Sequence, residues 1–369
     1  MKILIAPDKF KCSLSAREVA ENIAAGLRDV LPQAKVDIVP MADGGEGTAE
    51  VICDALGGLW LKCKAHDPIG REIDARYAWI EDRKLAVMEM SEAAGMRRLQ
   101  ESERDPIRAN TFGVGEMLLN ALRNGANEII IGLGGSATND GGFGMARALG
   151  FRFFEREDDQ ELRGAVGELI RLKRIEKPKR LALPKIVAAV DVRNPLLGKN
   201  GATHVFGPQK GANKDKIDTL EPALTRLADV VAKEFGFDCR DIPGAGASGG
   251  LGFGLMSFCR AEIRLGFQVV TEAVDLLSRM KDVDLVITGE GSLDRQTLEG
   301  KTPAGVARLA RKLGKRVIAI VGRATRDREV RELFDEVYEL ARPDMSEKAQ
   351  MKRAGEFLRK KARELARAL

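Results

Sequence analysis

Histidine is nearly missing from this chain: of 369 residues, two are histidines, His66 and His204. A Ser-His-Asp triad, a histidine-rich metal centre or a phosphohistidine relay would have to run through one of them. His66 precedes an Asp67-Pro68 turn signal and His204 sits in a strand-like Thr203-His204-Val205-Phe206 run, so both read as structural. Cysteine is sparse as well. Cys12, Cys53, Cys63, Cys239 and Cys259 are scattered and never spaced as CxxC, which favours free thiols in a reducing cytoplasm over disulfides or zinc. No apolar run approaches the ~20 residues that a membrane helix needs. Met1-Lys2-Ile3-Leu4-Ile5 is too short for a secretory signal and reads as a first strand. A net charge of +5, drawn from 60 basic and 55 acidic residues, makes a poor nucleic-acid footprint. Carboxylates and lysines are left as the candidates for chemistry.

What the chain does have is glycine-rich loops after apolar runs. Ile129-Ile130-Ile131 reads as a buried strand, and Gly132-Leu133-Gly134-Gly135-Ser136-Ala137-Thr138-Asn139-Asp140-Gly141-Gly142 follows before a helix-like pattern resumes at Phe143. Closely spaced glycines let backbone N–H groups approach a ligand, and donors at a helix N-terminus suit a phosphate. Ser136, Thr138 and Asn139 add neutral donors, and Asp140 adds a carboxylate where the helix should begin.

At this length two domains are the default. The first third reads as strand (2–6), helix opened by a Ser15/Glu18 capping box, strand (36–39) and helix (49–56), which calls for a parallel sheet with ligands at strand C-terminal ends. Alternation at Ile73, Ala75, Tyr77 and Trp79 then predicts antiparallel strands of a different sheet. Residues 152–184, charge-rich with little periodicity, read as a surface excursion, and Ile217 to Phe235 as a long amphipathic helix. Strands at 283–287 and 317–321 restore the parallel pattern, with Thr302-Pro303 as N-cap and first residue of the helix between them. The tail places Met351, Ala354, Leu358, Ala362, Leu365 and Leu369 on one face, as in a docked surface helix. The expected fold class is therefore α/β: a Rossmann-like parallel-sheet domain from both chain ends, residues 1–65 and 268–369, carrying an inserted α/β domain, 66–267, with the site in the cleft between them.

Several loops carry candidate chemistry. Asp43-Gly44-Gly45-Glu46-Gly47-Thr48 offers two carboxylates at a helix start, and Thr288-Gly289-Glu290-Gly291-Ser292-Leu293-Asp294 repeats the design. Asp191 follows a strand directly and could act as a base, a metal ligand or a structural turn aspartate. Lys210 in Gly207-Pro208-Gln209-Lys210-Gly211 stands on a tight turn, suited to a phosphate or carboxylate or simply solvated. Gly132-x-Gly134-x-x-Ala137 and Gly244-x-Gly246-x-x-Gly249 match the dinucleotide fingerprint weakly, the first without a clean ribose-binding acid ~20 residues on. Gly300-Lys301-Thr302 imitates the end of a phosphate-binding P-loop, but Arg295 occupies the position of its first glycine.

In order along the chain, Asp8 to Ala16, Ala42 to Thr48, Gly132 to Gly142, Asp191 to Leu196, Phe206 to Ala212, Pro243 to Gly250 and Thr288 to Thr297 closely resemble the bacterial two-domain glycerate kinases, from Met1 to about Gly322. The resemblance implies ATP- and Mg²⁺-dependent phosphorylation of D-glycerate in an interdomain cleft. Many members give 2-phosphoglycerate and others the 3-phosphate. The chain departs from the pattern at Lys9 and Cys12, where a serine and a glycine are usual, and at Arg323, where a Gly-Ser pair is expected after Val321.

Phosphoryl transfer needs alignment and charge neutralisation more than covalent help. On that chemistry Lys11 and Ser13, with Asp8 beside them, are expected to receive glycerate, with Lys210 as an alternative for its carboxylate. Gly134, Gly135, Ser136, Thr138, Asn139 and Asp140 are expected at the nucleotide phosphates. Asp43, Glu46, Glu290 and Asp294 are the candidates for Mg²⁺, and Asp191 for orienting or deprotonating the attacking hydroxyl. An NAD-dependent hydroxyacid dehydrogenase and a non-catalytic metabolite-binding protein remain as other classes. No nucleic-acid or membrane partner is expected, and monomer or homodimer stays open.

Overall fold

The computed structural model describes residues 1–155, 160–162, 164, 166–299, 301–342 and 344–369, with 296 and 299 as backbone only. Gly300 of the P-loop imitation and residues 156–159, 163 and 165 of the charged excursion lie outside the described residues. The chain forms two compact units: residues 1–43, 50–56 and 266–369, and residues 44–49 with 57–265.

The first unit is built on five parallel strands, in the spatial order Glu336–Glu339, Arg316–Val321, Leu285–Thr288, Lys2–Ile5, Lys35–Ile38. The chain runs outward from Lys2–Ile5 to Lys35–Ile38, then re-enters on the other side at Leu285–Thr288. Loops leaving the two central strands therefore part in opposite directions, and ligands of such sheets bind at that switch point. Ala16–Arg28 is a helix because Ser15 accepts from Glu18 N–H while the Glu18 carboxylate accepts from Ser15 N–H, a closed capping box. Thr302 does not cap its helix. Lys301 holds the N-cap position, Thr302 is the first helical residue, and its hydroxyl donates instead to Asp8.

The second unit carries a six-stranded sheet in nearly sequential order: Leu59–His66, Glu72–Ile80, Leu85–Glu89, Glu128–Gly132, Lys185–Val190, Glu262–Leu265. The first two strands pair antiparallel and the last four run parallel. An expected change of domain between residues 65 and 66 would cut the Leu59–His66 strand, whose pairing with Glu72–Ile80 extends to His66 and Glu72. The 152–184 stretch is less superficial than its charges suggest. Phe153, Leu162, Val166, Leu169, Leu172 and Ile175 are buried in the unit's core, while Arg152 and Arg174 lie over the Phe154 ring. The charged side chains lie over a buried apolar set too irregular in spacing to show a period. The Thr203-His204-Val205-Phe206 run is a helical turn, Ala202–Phe206, not a strand. The buried Thr203 hydroxyl accepts from Asn139 Nδ2 there, a tertiary bond that overrides the preference of its β-branched residues.

The tail forms two helices, Glu347–Lys352 and Ala354–Ala368. The second buries Phe357, Leu358, Ala362 and Leu365 in one core cluster with Val19, Ile23 and Leu27 of Ala16–Arg28, and Arg359 grips Asp29 with two hydrogen bonds of 2.9 and 2.8 Å. Gly26 sets this close approach: a Cβ there would stand 2.7 Å from the Ala362 Cβ and closer still to the Arg359 carbonyl. In an isolated helix Gly→Ala gains about 1 kcal/mol. Here Gly26→Ala is expected to destabilise the first unit by about 1–3 kcal/mol through overpacking, read as a lower urea midpoint. A raised midpoint would show that the helix pair yields without cost.

Candidate active site

In the first unit the strand ends bring acids together. The seam between Lys2–Ile5 and Leu285–Thr288 continues past the strands through Ala6 N–H to Ile287 O (2.7 Å) and Asp8 N–H to Gly289 O (2.8 Å), which sets Asp8 and Glu290 at the switch point. Met41 N–H reaches the Pro7 carbonyl at 2.9 Å and brings in the segment ending at Asp43. Asp8 is buried, accepts from the Thr302 hydroxyl (2.7 Å) and from Lys9 N–H (2.7 Å), and has its pKa pushed up to about 6 by burial and then by the Asp43 charge. Glu290 accepts from the Thr297 hydroxyl at 2.8 Å, and burial, with Asp8 and Asp294 adding repulsion, pushes it up to about 7. Acids held near neutrality by burial and mutual repulsion are what a cation would relieve. Among the described residues no three His, Cys, Asp or Glu side chains form a metal-ready group. Mg²⁺ asks for less, since it usually takes one or two carboxylates and completes its shell with water and substrate phosphates. Asp8 and Glu290 offer carboxylates of that kind. Asp294 pairs with Lys301 at 3.6 Å, and Glu46 belongs to the other unit, so the two acids of the Asp43–Thr48 loop are divided.

Lys11 is exposed on a tight N-terminal loop closed by Phe10 N–H to Leu14 O (2.9 Å) and Ser13 N–H to Phe10 O (2.9 Å). Cys12 stands at φ 60°, the left-handed region where a glycine fits without strain. The Ser13 hydroxyl donates to the Met351 carbonyl at 2.7 Å, so it anchors this loop to the tail.

In the second unit the glycine-rich loop is clamped from two sides by other backbone. A Cβ at Gly134 would lie 2.7 Å from the Gly45 Cα, and one at Gly249 would lie 2.7 Å from the Asn139 Cα and collide with the Thr138 carbonyl. Much of the glycine content thus permits chain-on-chain packing. The second fingerprint match ends in the same kind of contact: Gly249 and the following Gly250 are in left-handed backbone against Thr138, Asn139 and Gly141. The ribose acid has no counterpart either: Arg152–Phe154 is a three-residue strand paired antiparallel with Arg174–Glu176, outside the parallel sheet.

Asp140 corrects the expectation of a phosphate at the helix N-terminus. Its fully buried carboxylate already fills that place, accepting from Thr111 N–H (2.9 Å), the Thr111 hydroxyl (2.8 Å), Gly142 N–H (3.2 Å) and Gly144 N–H (2.9 Å). Burial raises its pKa and these four donors pull it back. Thr138 and Asn139 are also fully buried, and Ser136 nearly so, which leaves Gly134 and Gly135 as the part of the loop at the surface, next to the Glu46 side chain. Lys210 is neither solvated nor available to glycerate: it is 1 % exposed and its ammonium donates to the Thr138 carbonyl at 2.7 Å. The tight turn at Pro208–Lys210 points it inward, beneath the loop. Asp191 is exposed at the end of Lys185–Val190, on the same sheet edge as Gly132.

Glu89 was not singled out from the sequence. It ends the Leu85–Glu89 strand beside Gly132, is buried, and accepts from Gly47 N–H (2.8 Å) and Ala49 N–H (3.2 Å). The available signal was an acid closing an apolar run, the feature that marked Asp191.

Burial pushes the Lys210 pKa from 10.5 down to about 7, against the pull of Asp140. Between those values the unfolded chain binds this proton and the folded chain does not, so the lysine makes stability rise with pH across that window. Below pH 7 both states are protonated and the slope vanishes. The unfolding free energy of wild type relative to Lys210→Met is therefore expected to increase from pH 7 to 10 in urea titrations. Parallel curves would mean that the ammonium is not desolvated.

Comparison with known proteins places the chain in a family. A model of the glycerate kinase family matches residues 3–369, so the similarity extends through the tail beyond Gly322. The chain is 44% identical to the glycerate 2-kinase of Escherichia coli over 89% of this chain and 86% of that protein. It is 41% identical to the glycerate kinase of Bacillus subtilis over 100% and 98%. The crystal structure of a protein assigned as glycerate kinase 2 from Salmonella typhimurium LT2 superposes with a TM-score of 0.88 at 42% identity, covering 100% of this chain and 98% of that one. The chain belongs to the glycerate kinase family.

Proposed function

We propose that the protein transfers the γ-phosphoryl group of ATP to the 2-hydroxyl of D-glycerate, giving 2-phosphoglycerate and ADP. The observation that carries the reading is family membership over the whole chain, with the E. coli relative named as a 2-kinase. The acids at the switch point support the use of Mg²⁺, with Glu290, Asp43 and Asp8 as the residues that would hold it. Bound there, the ion would neutralise phosphate charge. Gly134 and Gly135, at the surface of the glycine-rich loop, are the proposed contacts for nucleotide phosphates, and Lys11 receives the glycerate carboxylate. Asp191, an exposed carboxylate at a strand end, orients the acceptor hydroxyl and takes its proton as the oxygen attacks. The five free cysteines support a reducing, cytoplasmic setting.

Coupled ADP release with D-glycerate tests the activity, and phosphorus NMR of the product tests the position. Phosphate on C2 is expected, while phosphate on C3 would replace the 2-kinase reading. No ADP release with glycerate would remove the activity itself.

Two substitutions separate the assigned roles. Lys11→Met should raise the glycerate KM roughly 10- to 100-fold, the value of one charge-assisted contact, with the ATP KM nearly unchanged. Asp191→Asn should lower kcat by about 10²–10⁴-fold with little change in either KM. Wild-type kcat in that variant would return Asp191 to a structural turn, and partial rescue by added Mg²⁺ would make it a metal ligand.

A further inference from the structure

Lys210 is a lysine enclosed by protein, and burying an ammonium is costly unless the fold uses it. The charge of Asp140 acts on it, and its hydrogen bond goes to a backbone carbonyl, that of Thr138. That carbonyl lies where Gly249 packs against the loop, and Gly141 N–H returns to the Gly249 carbonyl at 3.0 Å. Among the described residues Thr138 Oγ1 and Asn139 Oδ1 are buried without a hydrogen-bond partner, and the Asn139 amide donates to Thr203 at 3.0 Å. On its other side the loop is tied by Met96 N–H to Gly135 O (2.8 Å) and by Ala137 N–H to Ala94 O (2.9 Å).

We infer that Lys210 is a positioning residue: from beneath, its amino group fixes the Thr138 carbonyl through a hydrogen bond, and so sets the direction in which the Gly134–Ser136 backbone presents its N–H groups to nucleotide phosphate. Without that donor, the Thr138 carbonyl would become a third unsatisfied polar group in two consecutive residues. The loop would relieve this by rotating its peptides, which moves the N–H groups at its tip. Lys210 touches no substrate in this account. It acts through the loop, and the inference rests on the proposed nucleotide role of that loop.

The test compares Lys210→Met, which keeps length and apolar packing, with Lys210→Gln, whose amide can still donate a hydrogen bond but carries no charge. Lys210→Met is expected to raise the ATP KM roughly 10- to 100-fold, the range for loss of a hydrogen bond to a charged group, while the glycerate KM stays within about twofold. Lys210→Gln should fall between Lys210→Met and wild type. If the methionine variant does not fold, the glutamine variant alone should show the same split on a smaller scale. Equal changes in both KM values, or none in either variant, would overturn the positioning role. Hydrogen exchange of wild type with a non-hydrolysable ATP analogue separates this from the underlying reading. Protection of amides 134–136 together with an unaffected Lys210→Met would sink the inference alone. No protection there would remove the loop's nucleotide role and the inference with it.

Discussion

The Asp140 carboxylate accepts four hydrogen bonds where water does not reach, and the shape of the glycine-rich loop depends on it. One bond pair comes from Thr111, directly before the Phe112–Arg123 helix, and the others from Gly142 and Gly144 at the start of Phe143–Ala148. A buried carboxylate left short of donors would cost several kcal/mol, so the two helix starts, the loop and the strand before it can only be arranged together. Lys210 closes the group from below. The dense glycines then follow, because three stretches of backbone must meet without side chains between them.

The first unit meets a different constraint. The paired parallel strands Lys2–Ile5 and Leu285–Thr288 send their loops off in opposite directions, and Asp8 and Glu290 stand where those loops part. Lys9 near Asp8 and Lys301 near Glu290 pull the two pKa values down, as do the hydroxyls of Thr302 and Thr297, but burial outweighs them. The result is a pair of acids near neutrality, electrostatically incomplete and suited to a cation that arrives with phosphate. This arrangement would be wasteful in a site built only for stability.

Helix and strand identity were legible in the sequence wherever periodicity and local chemistry agreed. The Ser15/Glu18 box, the Ile129–Ile131 run, the 185–190 strand and the long 214–235 helix all depend on residues within a few positions of one another. The ordered loop motifs likewise pointed to the glycerate kinase family, and the family match bears that out. The 152–184 segment was misread because its buried residues follow the shape of the core and no period, and the turn at Thr203 because its decisive partner, Asn139, is 64 residues away.

Within the candidate site, the sequence by itself determined which chemical groups are present: acids at strand ends, glycines in loops, a few lysines and almost no histidine. Tertiary structure decided which way each group faces. Asp140 and Lys210 look in the sequence like the exposed ligands of a phosphate, yet both are enclosed, while Lys11 and Asp191 are exposed. Asp43 and Glu46 stand three residues apart and belong to different units. The physical reason is that a side chain's burial, and with it its charge state and reach, is fixed by segments distant in sequence that pack over it, and no local spacing encodes those.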